Sequence, residues 1–298
     1  MSRRILALLV AAAALLVAPA AQAHAAHTGK AAKQYYLSLG DSYAVGYQGD
    51  VKKTTLNGFA NQLVPLARRK GYRFTLVEQG CGGATTTSML QQKGCNPLAL
   101  APGAANYPNQ TQVQAAVAFI KRHKAQIGLV TVSIGGNDVD SCVSQPDPNA
   151  CVANNMKGAV TNLESIVKQL RKAGGKKLRI VGTTYPDVVL GAWVRQDVFG
   201  TNAFTLATSS VTSFDKYINP GLQKAYKSVG AKFVDVTKAT GAYGRFDTTT
   251  LAPYGTIPVP VAKVCQLTFF CTSLDIHMTT PGYGIIAKLV AGTLPKKR

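Results

Sequence analysis

Acidic residues are scarce in this chain: 13 Asp+Glu stand against 33 Lys+Arg, and the glutamates are limited to Glu78 and Glu164. The net charge of +20 would suit a nucleic-acid binder, but charged residues make up only 15% of the 298 residues, so the imbalance is mainly a deficit of acids. Basic residues are not interleaved with aromatics along one face, as a nucleic-acid groove requires, so nucleic acid is not an expected partner. Long apolar runs are also missing, since the longest, residues 5–17, falls short of the ~20 residues that span a bilayer. There is no C-x-x-C pair, and the histidines are not interleaved with the cysteines at ligand spacing, which argues against zinc. No repeat and no biased linker divides the chain. What remains, at 46% hydrophobic residues, is too apolar for a disordered chain and reads as one domain with a real core.

The first segment stands apart from that domain. Arg3 and Arg4 precede the apolar run, and Ala21-Gln22-Ala23 follows it, the order of a secretory signal peptide. Cleavage is expected after Ala23, leaving residues 1–23 as the signal, 24–34 as a flexible arm and 35–298 as the folded domain; an uncleaved anchor is the competing reading. In an oxidising compartment the six cysteines should pair. Sequential bridging, Cys81–Cys95, Cys142–Cys151 and Cys265–Cys271, is the simplest of the 15 connectivities open to six cysteines.

From residue 35 onward, short apolar runs alternate with segments of helical period, the pattern of an α/β fold with a mostly parallel sheet. Strands are expected at 35–39, 74–77, 127–134, 178–183 and 232–236. Helices are expected at 57–70, 112–123, 152–173 and 209–226, the last kinked or split at Asn219-Pro220, with a final helix opening near Thr280-Pro281. Four long connections join these elements, and three of them hold a cysteine pair.

The first three strand ends carry Gly40-Asp41-Ser42, Gly80-Cys81-Gly82-Gly83 and Gly135-Gly136-Asn137-Asp138. Each alone is an ordinary turn sequence. In an open parallel sheet of order 2-1-3-4-5, however, ligands bind beyond the strand ends at the point where strand order reverses, and Ser42, Gly83 and Asn137 would converge there. A hydroxyl, an unhindered N–H and a side-chain amide are what acyl transfer needs: a nucleophile, and donors for the oxygen that becomes negative. The nucleophile needs a base. His24 and His27 fall in the arm, and His123 ends a helix beside Arg122 and Lys124, where a solvated role is expected. His277 follows a loop in Asp275-Ile276-His277, immediately ahead of the final helix, and completes a triad-like set.

At these residues the sequence resembles the SGNH, or GDSL-type, serine hydrolases. Leu39-Gly40-Asp41-Ser42, Gly80-Cys81-Gly82-Gly83-Ala84-Thr85-Thr86, Gly135-Gly136-Asn137-Asp138 and Asp275-Ile276-His277 match its four blocks in order. Thr184-Tyr185-Pro186-Asp187, Ala192-Trp193 and the stretch from Cys265 to Cys271 are similar to the secreted actinobacterial branch. The resemblance implies a three-layer α/β/α, flavodoxin-like domain. It implies Ser42 as nucleophile, His277 as base, and Ser42 N–H, Gly83 N–H and the Asn137 amide as the oxyanion hole. Two departures stand out. Glu78 occupies a position where many members carry Asn. Leu274 stands where many carry the triad acid, so the acid is either Asp275, one position closer, or a backbone carbonyl such as that of Leu274. There is no Gly-x-Ser-x-Gly elbow, because Ala44 replaces its second glycine.

The expected activity is hydrolysis of carboxylic esters, lipid or fatty-acid esters first and acetylated polysaccharide second, with no cofactor or metal and a monomeric enzyme. Trp193 and Phe269-Phe270 are candidates for an acyl or sugar platform, or for loop core around a disulfide. A noncatalytic binder of anionic polymers and a metal-dependent hydrolase using Asp138 and Asp140 are the lesser alternatives. Finally, Arg68-Arg69-Lys70, Arg122/Lys124, Arg171-Lys172 and Lys296-Lys297-Arg298 sit at expected helix C-termini, where cations complement the macrodipole. They should form a basic underside opposite Ser42, able to contact an anionic wall or membrane peripherally.

Overall fold

A computed structural model describes residues 33–297. The expected signal peptide, most of the arm and Arg298 lie outside the described residues. Five parallel strands form the central sheet: β1 (Gln34–Gly40), β2 (Phe74–Glu78), β3 (Ile127–Ser133), β4 (Ile180–Thr183) and β5 (Lys232–Val234). Their spatial order is β2-β1-β3-β4-β5, as expected, with strand order reversing at β1.

Alternation along β1 sends its side chains into two separate cores. Leu37 and Leu39 join Val130, Val132 and Ile180 beneath α3 (Gln112–Arg122), α4 (Pro148–Gly174) and α6 (Asn219–Lys227). Tyr36, Leu129 and Val181 face the other way, against α1 (Phe59–Arg69) and α7 (Thr280–Gly292). The result is the three-layer α/β/α arrangement. Residues such as Leu63 of α1 and Leu163 of α4 are fully buried, and each such side chain stabilises the fold by about 1.5–3 kcal/mol relative to exposure.

Two of the differences from the expected elements have a clear local cause. β5 stops at Val234 because Asp235 turns the chain, its carboxylate accepting the Lys238 N–H at 2.8 Å as the cap of a short helix, Val236–Ala239. The helix expected to be kinked or split at Asn219-Pro220 is interrupted just ahead of that pair but stays continuous: α5 (Ala203–Ser213) runs through a π-turn at Phe214–Ile218 into α6. The wider turn shifts the hydrogen-bond register so that Pro220 falls in the opening turn of α6, where a missing N–H costs little.

All three disulfides join sequential cysteines: Cys81–Cys95, Cys142–Cys151 and Cys265–Cys271. Each ties a connection at the end of the sheet where the strands terminate. Three of the cations at the opposite end are engaged by backbone carbonyls near helix ends. Lys70 Nζ donates to Leu294 O at 2.8 Å, Lys232 Nζ to Thr293 O at 2.8 Å, and Arg171 to the carbonyls of Val229, Gly175, Lys176 and Leu178. His123 is half-buried rather than solvated, because Tyr35 and Phe119 pack against its ring at 4.7 and 4.6 Å.

Candidate active site

The turn after β1 is fixed from both sides. Gly40 N–H donates to the buried Gln112 side chain at 2.7 Å, and the Gln112 amide donates back to Gly40 O at 3.0 Å. A Cβ on Gly40 would lie 1.9 Å from Ser133 O, and its φ is +132°, so glycine alone fits. Asp41 N–H continues the ladder to Ser133 O at 3.0 Å. The Asp41 carboxylate then points inward, accepting Tyr43 N–H at 3.0 Å and Tyr185 Oη–H at 2.5 Å. Burial pushes this carboxyl up to about 7, against those two hydrogen bonds. Ser42 is carried on the resulting turn, beside the end of β3.

The second and third strand ends are tied to the first and to each other. Cys81 N–H donates to Gly40 O at 2.9 Å and Gly82 N–H to Ala99 O at 2.8 Å. Asn137 Nδ2 donates to Ala84 O at 2.8 Å, which sets the amide against the Gly83 turn. Asp138 accepts both the N–H and the hydroxyl of Thr86, at 2.9 and 2.5 Å, at the start of α2 (Thr86–Gln91), so its carboxylate links the two loops. Among the described residues, no protein group accepts from the N–H of Ser42 or Gly83.

His277 enters from the last long connection. Its ring Nδ1 lies 2.8 Å from Asp275 Oδ1, and its own backbone N–H donates to the same oxygen at 2.8 Å. Leu274 adopts the left-handed conformation, φ 57° and ψ 17°, immediately before Asp275, a turn that a non-glycine residue makes at a cost of ~1–3 kcal/mol. That turn accompanies an Asp-x-His spacing in which the carboxylate still reaches the ring. Burial raises the Asp275 carboxyl, but the hydrogen bonds from the His277 ring and N–H outweigh it and hold the group below the ordinary range. Tyr43 Oη–H donates to Ile276 O at 2.5 Å, Phe269 N–H donates to His277 O at 3.0 Å, and the Tyr47 ring packs 4.4 Å from the imidazole. Nε2 is buried without a hydrogen-bond partner.

Ser42 sits where two cavities meet. One, of about 270 Å³, is a crevice lined by Ser42, Gly83, Asn137, His277 and Tyr47. The other, of about 160 Å³, is walled mainly by apolar side chains, among them Val188, Leu206, Phe214 and Phe270, and reaches Ser42 and Asn137. Ser42, Gly83, Asn137 and His277 therefore share one crevice, and Asp275 stands behind the histidine. Phe270 is on a cavity wall, whereas Trp193 packs into an aromatic cluster with Phe204 and Phe246, at 4.7 and 5.9 Å. Gln112, Tyr185, Tyr43 and Tyr47 support the site; Tyr185 lies in the Thr184-Tyr185-Pro186-Asp187 stretch noted in the sequence, and nothing in the sequence pattern distinguishes the other three.

Residues 38–285 match the sequence model of the GDSL-like lipase/acylhydrolase family. The chain belongs to that family. It is a carboxylic ester hydrolase by that membership. No curated protein matches the sequence. The fold is similar to that of the lipase Lip_vut3 from a goat rumen metagenome, with a TM-score of 0.53 and 14% identity over 87% of this chain and 96% of the other. It is also similar to phospholipase A1 from Streptomyces albidoflavus NA297, with a TM-score of 0.50 and 19% identity over 88% of this chain and 100% of the other. At these identities the likeness concerns the fold, and the site rests on the residues themselves.

Proposed function

We propose that this protein is a secreted esterase or lipase, of the actinobacterial branch, that cleaves lipid or fatty-acyl esters through an acyl-enzyme. His277 Nε2 takes the Ser42 proton as Oγ adds to the ester carbonyl. Ser42 N–H, Gly83 N–H and the Asn137 amide receive the oxyanion, and Asp275 orients the ring and stabilises its charged form. The alcohol departs with the proton from His277, and water repeats the sequence to release the acid. The unpartnered Nε2 suits this role, since catalytic hydrogen bonds of this kind tighten only when substrate is in place.

The observation that carries the substrate class is the apolar cavity opening beside Ser42. At about 160 Å³ it compares with a dry cavity of ~150 Å³ that holds benzene, so an acyl tail of about six carbons would fill it. Val143 on its wall and Leu98 on the crevice are exposed, 36% and 86%, which favours an apolar substrate at both openings. A series of p-nitrophenyl esters from acetyl to dodecanoyl, run beside an acetylated glycan, tests the reading. Peak kcat/KM near six to eight carbons supports it. A preference for the glycan or for acetyl would favour the polysaccharide alternative. Ser42→Ala should abolish turnover on every ester.

Export rests on the N-terminal pattern and on three disulfides. The mature protein would begin at His24 and fold as one domain over 35–298, which N-terminal sequencing of protein from culture medium would check. The cations Arg68, Arg69, Lys124 and Lys172, exposed at the sheet end remote from Ser42, would give peripheral contact with an anionic wall or membrane. Neutralising them should weaken that binding and leave turnover on a soluble ester intact.

A further inference from the structure

The hairpin after the Ser42 turn meets the histidine loop through a residue with no side chain. Tyr47–Gln48 pairs with Lys53–Thr54, and Gly49 follows directly on the first strand of this pair. A Cβ built on Gly49 would lie 2.3 Å from Asp275 Cγ and 2.6 and 2.7 Å from its two oxygens. Ordinary carbon contacts are ~3.5–4.0 Å. The Gly49 backbone is therefore a wall against the back of the Asp275 carboxylate, while His277 closes its front.

The wall has little freedom to retreat. Tyr283 Oη–H donates to Tyr47 O at 2.7 Å, and Gln48 Nε2 donates to Thr280 Oγ1 at 3.0 Å, which anchors the hairpin to the start of α7. Gln48 Oε1 in turn accepts from Thr55 and Asn57 at 3.0 Å each. Tyr47 lies against the imidazole, so the same short segment touches both the acid and the base. The Asp-x-His spacing makes this contact matter. With Leu274 already in a left-handed turn, Asp275 has few ways to keep Oδ1 on both the backbone N–H and the ring Nδ1 of His277 if its Cγ is pushed.

We propose that Gly49 is a positioning residue for the Asp275–His277 pair: the absent side chain at position 49 creates the space in which the shortened acid–histidine turn holds its carboxylate on the ring. The proposal rests on the triad reading above. Alanine is a clean probe, because Gly49 is not in the left-handed region and the atoms a methyl would meet belong to one side chain.

The test compares wild type, Gly49→Ala, Asp275→Ala and the double variant on a soluble p-nitrophenyl ester, with melting temperatures. Gly49→Ala should lower kcat roughly 10- to 100-fold with KM within about twofold, a partial version of losing the triad acid. In the Asp275→Ala background the same substitution should cost nothing further, and any melting temperature lost in Gly49→Ala should return in the double variant. Unchanged kcat in Gly49→Ala, or an equal loss in both backgrounds, overturns the proposal, as does a double variant no more stable than a destabilised single one. If Asp275→Ala alone keeps full activity, the triad reading fails instead, and the two failures are distinguishable.

Discussion

A single oxygen of Asp275 accepts two hydrogen bonds from one residue, the backbone N–H and ring Nδ1 of His277, each at 2.8 Å. The first fixes the turn and the second fixes the ring, so local backbone geometry and imidazole orientation are set by the same atom. The backbone carbonyl of Leu274, the alternative partner considered from the sequence, is not the group that meets Nδ1.

Asp275→Asn should therefore cost more than its small change in shape suggests. The amide can present N–H to the ring and favour the wrong tautomer, so kcat is expected to fall by roughly 10²–10⁴ with KM little altered. Steady-state kinetics on a soluble ester measure it, and wild-type kcat would remove Asp275 from the triad. Because its folded pKa is depressed, Asp275 contributes stability above the ordinary carboxylate range and loses it as pH falls through the folded value.

Asn137 has a dual attachment, with one N–H on Ala84 O and the amide bordering the crevice. Asn137→Ala should lower kcat by about 10²–10³, the usual effect of removing one oxyanion donor. An Asn137→Asp variant, similar in shape but negative, should be at least as impaired. Activity within a factor of three in either would place oxyanion stabilisation elsewhere.

Leu206 lines the apolar cavity from the start of the long α5–α6 segment and is only partly buried, so a larger side chain can be accommodated there. Leu206→Trp should fill much of the space beside Ser42. The octanoyl-to-acetyl ratio of kcat/KM is expected to drop at least tenfold while acetyl ester turnover holds within about threefold. A ratio that does not move would mean that the acyl chain lies outside this cavity.

Glu78 is buried at the end of β2 with Asn61 Nδ2 at 3.2 Å from its carboxylate, and burial pushes it from 4.5 up to about 7. The folded protein holds this proton more tightly than the unfolded chain, so stability should fall as pH rises from about 4.5 to about 7 and level off above. The slope is on the order of 1 kcal/mol per pH unit for one group. Glu78→Gln keeps an acceptor for Asn61 and removes the charge. Its melting temperature relative to wild type should rise between pH 5 and pH 8, and a difference independent of pH would contradict the assignment. The departure from Asn at this position is thus accommodated by a buried, readily protonated carboxyl with a partner.

Much of the site was legible because its main elements are local. Gly40-Asp41-Ser42, Gly83, Asn137 and His277 each lie in a short turn at the end of a strand or before a helix, and apolar alternation with glycine turns marks such places without reference to the rest of the chain. The five strands follow from the same kind of pattern, whereas their order was a conditional expectation and the sequential pairing the simplest of 15 connectivities, both of which the fold bears out. The supporting residues do not. Gln112 holds Gly40 across 72 positions, Tyr43 reaches Ile276 across 233, and Gly49 makes room for Asp275 in a loop far downstream. Periodicity cannot register a contact between such distant segments.

The shortage of acids illustrates the same division. By composition it suggested an anionic partner, and helix-end spacing moved the cations to the face opposite Ser42. The fold then gave several of them other work, with Lys70, Arg171 and Lys232 satisfying backbone carbonyls. The sequence by itself determined the α/β alternation, the turns that carry Ser42, Gly83 and Asn137 and the family they belong to, because those depend on near neighbours. Only the tertiary structure decided how the Asp275 carboxylate reaches the ring, how wide the apolar cavity beside Ser42 is and which charges remain free. Those depend on the packing of segments that the chain brings together last.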